Sequence, residues 1–249
     1  MKKLMFAAAV AAGLVAFGDG IESANTVGYL DKDVSQGLSN QMPTFEIVGA
    51  EGTDITKLKV MDEDGNPLSG EITIQFYNEF GRLVENYTWW KGADVDEGMD
   101  DGWFDDDMEE PKSRALAFGE GFKISTTYEG ATIQFAGEVN AAEVAIPIPV
   151  GLSSLGNVRP TDLNLSTLLP VDENGDSVSG EITVQFYNEF GRLVENYTWW
   201  KGADVDEGMA DGWFDDDMEE PKTRALAAAE GFCIYTGTTG AFLKFPAIQ

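Results

Sequence analysis

Residues 70–90 read GEITIQFYNEFGRLVENYTWW, and residues 180–200 repeat this passage with one difference, valine for isoleucine at its fifth position. Apolar and polar residues alternate from Ile72 to Tyr77, which is the period of a half-buried strand rather than of a helix. The segment YNEFGR then supplies turn residues, because Asn and Gly adopt positive φ at low cost. A second alternating segment, residues 83–90, follows the turn. The passage therefore predicts a β-hairpin that occurs twice in the chain.

The repeat extends in both directions at an offset of 110 positions. Upstream, MDEDGNPLSG faces VDENGDSVSG, and downstream EGFKISTTYEGATIQF faces EGFCIYTGTTGAFLKF. We therefore expect two homologous domains, residues 19–140 and 141–249. Further strands are predicted at residues 122–125 and 131–135, and no stretch has a sustained period of 3.6 residues. The predicted fold class is all-β, with two tandem β-sandwich or open-barrel domains after a cleaved signal peptide.

The first residues of the chain, 1–18, are typical of a secretory signal. Two lysines precede the apolar run LMFAAAVAAGLVAF, which is too short to anchor the chain across a bilayer. Small residues fit a cut after Gly18, and a cut after Gly20 is the alternative. The sequence thus predicts an exported protein, either secreted or held in the cell envelope.

The composition restricts the classes of partner and of chemistry. The formal net charge of −28 would repel nucleic acid and anionic membranes, so neither is expected as a partner. Cations and basic surfaces are the expected partners, and self-assembly would require screened or ion-bridged contacts. One cysteine, Cys233, excludes an internal disulfide. The absence of histidine excludes Ser-His-Asp and Cys-His catalysis.

The segment after the predicted hairpin, residues 94–110, carries ten carboxylates. Two carboxylates about 4 Å apart repel by about 4 kcal/mol at an effective dielectric constant of about 20. The segment can respond by turning its charges outward, by pairing some with Lys91, Lys112 and Arg114, or by binding Ca²⁺ through oxygen ligands. It does not follow the EF-hand spacing. The calcium hypothesis places one ion in each copy, with the candidate ligands Asp94, Asp96, Asp105 and Asp107, and Asp204, Asp206, Asp215 and Asp217.

The aromatic residues allow a structural and a functional interpretation. If Leu83, Tyr87 and Trp89 share the core face of the hairpin, then Trp90 points to the other face. In the structural interpretation, the later Gly-Trp-Phe segment folds over Trp90 as a lid. In the functional interpretation, exposed rings stack on sugars in a carbohydrate-binding module whose partner is a polysaccharide or cell-surface component. The candidate ligand-binding residues are Trp90, Trp103 and Tyr77, and Trp200, Trp213 and Tyr187.

The single thiol also has two interpretations. Cys233 alternates with Phe232 and Ile234, which predicts that it lies on the less buried face of a strand. On that face it either joins two protomers or lies unpaired, under a loop or against the neighbouring domain.

Short phrases in both copies carry a resemblance. The phrases ESANTVGY, GLSSLGNVRP, DGWFDDD and GEGF make the chain resemble exported bacterial proteins of unassigned activity that are built from tandem β-rich repeats. This resemblance covers most of both copies and implies export and β structure. The phrase YNEFGRLVENYT also resembles one YD/RHS repeat, with YN in place of that family's YD. Because one such unit occurs per copy, the resemblance implies a hairpin and not that family's extended arrays.

These observations predict an acidic, non-enzymatic structural or interaction protein of the cell surface or extracellular space, with calcium binding as an added hypothesis. A carbohydrate-binding module is the first alternative. A glycoside hydrolase is the second, and it is disfavoured because a solvated acidic segment does not raise the pKa of a carboxyl as a catalytic acid requires.

Overall fold

The computed structural model of the chain describes residues 27–34, 36–41, 53–139 and 141–248. The predicted signal segment, residues 1–18, lies outside them. Antiparallel strands dominate the described residues, which confirms the all-β prediction. Within these ranges, no helix is long and apolar enough to cross a membrane.

The strands of the first copy are β1 (Val27–Val34), β2 (Gly37–Gln41), β3 (Thr53–Asp54), β4 (Lys59–Met61), β5 (Ile72–Tyr77), β6 (Leu83–Trp90), β7 (Gly102–Phe104), β8 (Ala115–Leu116), β9 (Phe122–Thr126) and β10 (Ala131–Glu138). A one-turn helix, α1, spans Gly92–Val95, and a 3-10 turn spans Ile55–Lys57.

The strands of the second copy are β11 (Val144–Ile148), β12 (Gly151–Gly156), β13 (Leu163–Asn164), β14 (Leu169–Val171), β15 (Ile182–Tyr187), β16 (Leu193–Trp200), β17 (Gly212–Phe214), β18 (Ala225–Leu226), β19 (Gly231–Thr236) and β20 (Ala241–Phe245). A one-turn helix, α2, spans Gly202–Val205, and a 3-10 turn spans Leu165–Thr167.

Both copies have the same sheet topology. A five-stranded sheet has the order β2-β9-β5-β6-β7 in the first copy and β12-β19-β15-β16-β17 in the second. A three-stranded sheet has the order β1-β10-β4 or β11-β20-β14, and a two-stranded ribbon completes each copy. The buried apolar residues of the five-stranded and three-stranded sheets form one cluster in each copy. Each copy is thus a pair of open sheets packed across its own core.

The hairpin formed by β5 and β6 has the predicted alternation in its first strand only. Ile72, Ile74 and Phe76 are each at most 3% exposed. A β-bulge between Phe76 and Tyr77 then shifts the register, so that Tyr77 lies opposite Leu83. Leu83 is 48% exposed. The prediction that Leu83 shares the core face is therefore wrong, because the bulge turns it to the other face.

The two copies pack on each other through reciprocal contacts. Leu38 in β2 donates its backbone N–H to the carbonyl oxygen of Glu189 at 2.7 Å, and Leu152 in β12 donates to that of Glu79 at 2.9 Å. Both acceptors lie in the hairpin turn of the opposite copy. Gly151 has φ +101°, and a Cβ there would lie 2.8 Å from the Glu79 oxygen. Glycine is therefore required for this close approach.

Cys233 lies in this contact region. The thiol is 2% exposed and, with Tyr77 and Lys123 of the first copy, lines a cavity of about 20 Å³. Burial raises the pKa of the Cys233 thiol. The thiol therefore lies against the other copy, as the second interpretation of Cys233 predicted. The prediction of a less buried position is wrong, because the other copy covers this face of β19.

Candidate functional site

The segment that follows each hairpin, residues 91–114 and 201–224, is called here the acidic segment. In the first copy it leaves β6, forms α1, and returns as β7 beside the end of β6. Gly92 allows this fold, because a Cβ at that position would lie 1.9 Å from the carbonyl oxygen of Met99. The sequence places glycine where the two ends of the loop touch.

Several carboxylates of the acidic segment bind its own backbone and neighbouring hydroxyls. Asp94 accepts a hydrogen bond from the Ser69 hydroxyl at 2.5 Å, and this oxygen of Ser69 accepts the Lys91 N–H at 2.9 Å. Asp101 accepts the Gly92 N–H at 2.9 Å. The second copy repeats the three bonds at the same distances. These carboxylates therefore hold the segment in one conformation.

In the first copy, Asp94, Asp96 and Asp105 each accept a different hydrogen bond. Asp96 follows α1 and accepts the N–H of Glu97 at 2.8 Å. Asp94, within α1, accepts the Ser69 hydroxyl. Asp105 follows β7, where it accepts the N–H of Asp107 at 3.3 Å. Across the part of the chain that the structure describes, no group of three or more Cys, Asp or Glu side chains is placed to hold a metal ion. The corresponding residues of the second copy are Asp204, Asp206, Asp215 and Asp217.

Lys112 neutralises part of the acidic segment, which is one of the three responses considered from the sequence, whereas Arg114 pairs with carboxylates outside the segment. Lys112 forms ion pairs with Asp105 at 3.5 Å and with Glu110 at 3.7 Å. The same pairing of Lys222 with Asp215, at 3.4 Å, occurs in the second copy.

Arg114 joins the acidic segment to the sheet. Its guanidinium lies 3.5 Å from the centre of the Phe76 ring and forms ion pairs with Glu85 and Glu120. Burial disfavours the charged form, but the hydrogen bonds to Glu120 and Glu85 outweigh it and raise the pKa of Arg114. Arg224 makes the equivalent contacts in the second copy. The guanidinium groups of Arg114 and Arg224 therefore help to hold each acidic segment against its sheet.

Trp103 lies on the inner face of the sheet. It is 0% exposed and packs edge-to-face on Trp89, with ring centres 5.7 Å apart. Trp213 is equally buried, and its ring packs on Trp199 at 5.6 Å. The expectation that the Gly-Trp-Phe segment forms a lid over Trp90 is wrong, since the in-register pair Trp89 and Trp103 shares the core side. Neither Trp103 nor Trp213 presents a ring face to a ligand.

Trp90 and Tyr77 lie on the outer face, but at opposite ends of the hairpin. The half-buried Trp90 ring covers Gly70, where a Cβ would lie 2.6 Å from a ring carbon. Tyr77 lies opposite Leu83, about 23 Å along β6 from Trp90 at 3.3 Å per residue. The Lys123 ammonium covers the Tyr77 ring at 4.5 Å. The candidate rings therefore do not form one platform, and the same holds in the second copy for Trp200 and Tyr187.

A groove in the second copy was not predicted from the sequence. It has a volume of about 350 Å³ and is lined by residues 194–197 of β16 and by residues 215–217. The groove exists because β17 pairs only with Thr198–Trp200 of the longer strand β16. Sequence reasoning could not have found it, because the mismatch between the three residues of β17 and the eight of β16 becomes visible only once the two strands are paired.

The turns DEDG and DENGD form Asx turns. Asp62 accepts the N–H groups of Asp64 at 3.0 Å and of Asn66 at 2.7 Å. Asp172 does the same in the second copy. The backbone hydrogen bond from Asn66 is the main reason why the pKa of Asp62 is lowered. That from Asp176 lowers the pKa of Asp172.

Comparison of the chain with protein-family models, with curated proteins and with solved structures finds no match. The function is therefore inferred from the residues of the chain and their geometry.

Proposed function

We propose that the chain is an exported, non-enzymatic interaction protein of the cell surface or extracellular space, which presents an acidic segment twice. One observation carries the proposal. Nine of the ten carboxylates in residues 94–110 are exposed, all but Asp105, while the backbone of the segment is held by internal hydrogen bonds. An ordered loop with outward carboxylates gives a fixed, strongly negative surface.

Such a surface selects its partners by charge. A local excess of carboxylates attracts cations and basic surfaces, and it repels nucleic acid and anionic lipid. The reciprocal contacts made by Leu38 and Leu152 hold the two copies together, so a partner with two basic sites can bind both at once. Simultaneous binding at two linked sites raises the overall affinity without new contacts.

Export is tested by fractionating cells that express the full chain with a C-terminal tag. We expect the tagged protein outside the cytoplasm, with a new N-terminus after Gly18 or Gly20. A variant with Asp in place of Val10 and Leu14 should remain inside, since the apolar run is then interrupted. Uncut protein in the cytoplasm of wild-type cells contradicts the proposal.

Calcium binding remains a hypothesis within this proposal. We expect millimolar Ca²⁺ to raise the melting temperature relative to chelator, and Asp94→Asn combined with Asp204→Asn to reduce that rise. Asp100→Ala is the matched control, because the second copy already carries Ala210 at this position. Equal melting with calcium and with chelator removes the ion from the proposal.

Self-assembly is tested in parallel by native mass spectrometry of the mature chain, with and without calcium. We expect monomers at low salt, since the strongly negative charge, −28 for the full chain, holds copies apart, and larger species only with salt or bridging ions. Carbohydrate binding stays a prediction. We propose no second function, because the candidate rings lie on different faces or at opposite ends of each hairpin.

A further inference from the structure

We infer that the open edge of β16 binds an extended peptide segment bearing lysine or arginine, which adds to the sheet as a further strand. This inference rests on the proposed function, because it names the chemical class of the basic partner and the place where it binds.

The first step is the unpaired edge. β15 pairs with one side of β16 from Leu193 to Thr198, whereas β17 covers the other side only from Thr198 to Trp200. Among the residues that the structure describes, no strand pairs with the edge from Leu193 to Tyr197. An exposed edge carries backbone N–H and C=O groups in the spacing of a strand, so it is a template for one more.

The second step is the charge that faces this edge. Asp215, Asp216 and Asp217 form the far wall of the groove of about 350 Å³. Asp216 accepts the side-chain N–H of Asn196 at 3.1 Å, Glu195 on the strand pairs with Arg224, and Asp217 is exposed. The Oδ1 atom of Asp215 is buried and accepts no hydrogen bond within the described structure. The Oδ2 atom of the same carboxylate pairs with Lys222 at 3.4 Å, whereas the side chains of Asp216 and Asp217 are exposed. An ammonium or guanidinium group in the groove is attracted to this negative charge.

The equivalent edge of the first copy differs at this atom. There the Oδ1 atom of Asp105 accepts the N–H of Asp107 at 3.3 Å, so the carboxylate has a partner. The inference is therefore made for the second copy.

The third step is the apolar character of the strand beside the groove. Leu193 is 49% exposed and Val194 is 55% exposed. Side chains of an added strand alternate between the two faces of the sheet. A segment that alternates cationic and apolar residues can therefore place its cations toward the aspartates and its apolar groups over Val194. A second copy of this chain is a poor occupant, because its net charge of −28 would oppose these carboxylates.

The probe is a fluorescent peptide, Lys-Val-Lys-Val-Lys-Val, titrated with the full chain at about 0.15 M salt, where the screening length is about 8 Å. We expect saturable binding by anisotropy. A second peptide has the same side chains and charge but N-methyl groups on alternate amides, and it should lose most of the affinity because strand addition needs those donors. Equal binding of both peptides overturns strand addition.

Charge reversal in the groove locates the site. Asp217 is exposed and lies in the wall of the groove. We expect Asp217→Lys to weaken binding by about fivefold, since one screened attraction becomes a repulsion. The control is Asp107→Lys, which changes the same residue type and the same net charge in the first copy. It should change the affinity less than about twofold, and an equal loss in both variants overturns the assignment to β16.

The outcomes separate this inference from the proposed function. Export does not involve the β16 edge, so uncut protein in the cytoplasm removes the proposed function without bearing on peptide binding by the folded chain. Absence of peptide binding by an exported chain overturns the inference alone. Binding of a neutral polysaccharide in place of the peptide, lost in Asp217→Lys, also overturns it.

Discussion

The indole N–H of Trp199 offers a matched test of the packing in the two copies. Trp199 is 4% exposed and donates to the Ser177 hydroxyl at 3.0 Å. In the first copy the equivalent residue is Pro67, which has no hydroxyl, and the indole nitrogen of Trp89 is buried without a partner. Ser177→Ala should therefore give the second copy the unpaired donor that the first copy already has.

The magnitude follows from the burial of this donor. Leaving a buried N–H unpaired costs about 1–3 kcal/mol of unfolding free energy. Because the first copy folds with the same defect at Trp89, we expect Ser177→Ala to cost about 1 kcal/mol, the lower end of that range. In a Trp199→Phe background there is no indole N–H to donate to the Ser177 hydroxyl. There Ser177→Ala should lower the free energy of unfolding by less than about 0.3 kcal/mol. Most of its cost in the wild-type chain is therefore the coupling between the Ser177 hydroxyl and the Trp199 indole.

The assay is hydrogen exchange measured by mass spectrometry, because a chain with two cores need not unfold in one step. Ser177→Ala should speed exchange in peptides from residues 169–200 and leave the matching peptides from residues 59–90 unchanged. An equal change in both copies, or the same cost with and without the Trp199 indole, refutes the assignment of this hydrogen bond.

Three further predictions concern the contact between the copies, the thiol and acid stability. Gly151→Ala places a methyl group 2.8 Å from the Glu79 oxygen at φ +101°. It should lower the free energy of unfolding by about 1–3 kcal/mol and speed hydrogen exchange in the turn of residues 78–82. Unchanged exchange in that turn contradicts the packing of the two copies at Gly151. Burial raises the pKa of Cys233, so a thiol reagent should react at least about a hundredfold more slowly with folded chain than in urea; comparable rates contradict burial. The backbone hydrogen bond from Asp176 lowers the pKa of Asp172 in the folded chain. The ionised Asp172 therefore stabilises the fold at pH values above its unfolded pKa, and this stabilisation is lost as the pH falls through the folded pKa. Asp172→Ala should therefore lower the melting temperature near pH 7 but not near about pH 2, and an equal drop at both pH values contradicts the assigned cause.

Local sequence patterns predicted the elements of this fold well. The alternation of Ile72, Ile74 and Phe76 predicted a strand that buries these residues, and the turn chemistry of Asn78 and Gly81 predicted the hairpin. In the structure Asn78 accepts the N–H groups of residues 80 and 82, and Gly81 has φ +69°. Such features depend on residues within a few positions of each other, so a single sequence contains the required information.

The candidate site was predicted less well, because its geometry depends on distant contacts. The bulge after Phe76 reversed the side of Leu83, and the register of β6 with β7 placed Trp103 beside Trp89 in the core. The open edge of β16 followed from a mismatch in strand lengths that has meaning only after the strands are paired. Periodicity gives the two faces of a strand but not what covers each face.

The sequence by itself determined that this chain forms strands and hairpins, that it is built from one unit written twice, and that its surface is strongly acidic. Tertiary structure alone decided which indoles are buried, that the contact between the copies covers Lys123 and Cys233, and which edge stays open. The physical reason is that alternation and charge are properties of neighbouring residues, whereas burial is a property of surfaces brought together from far apart in the chain.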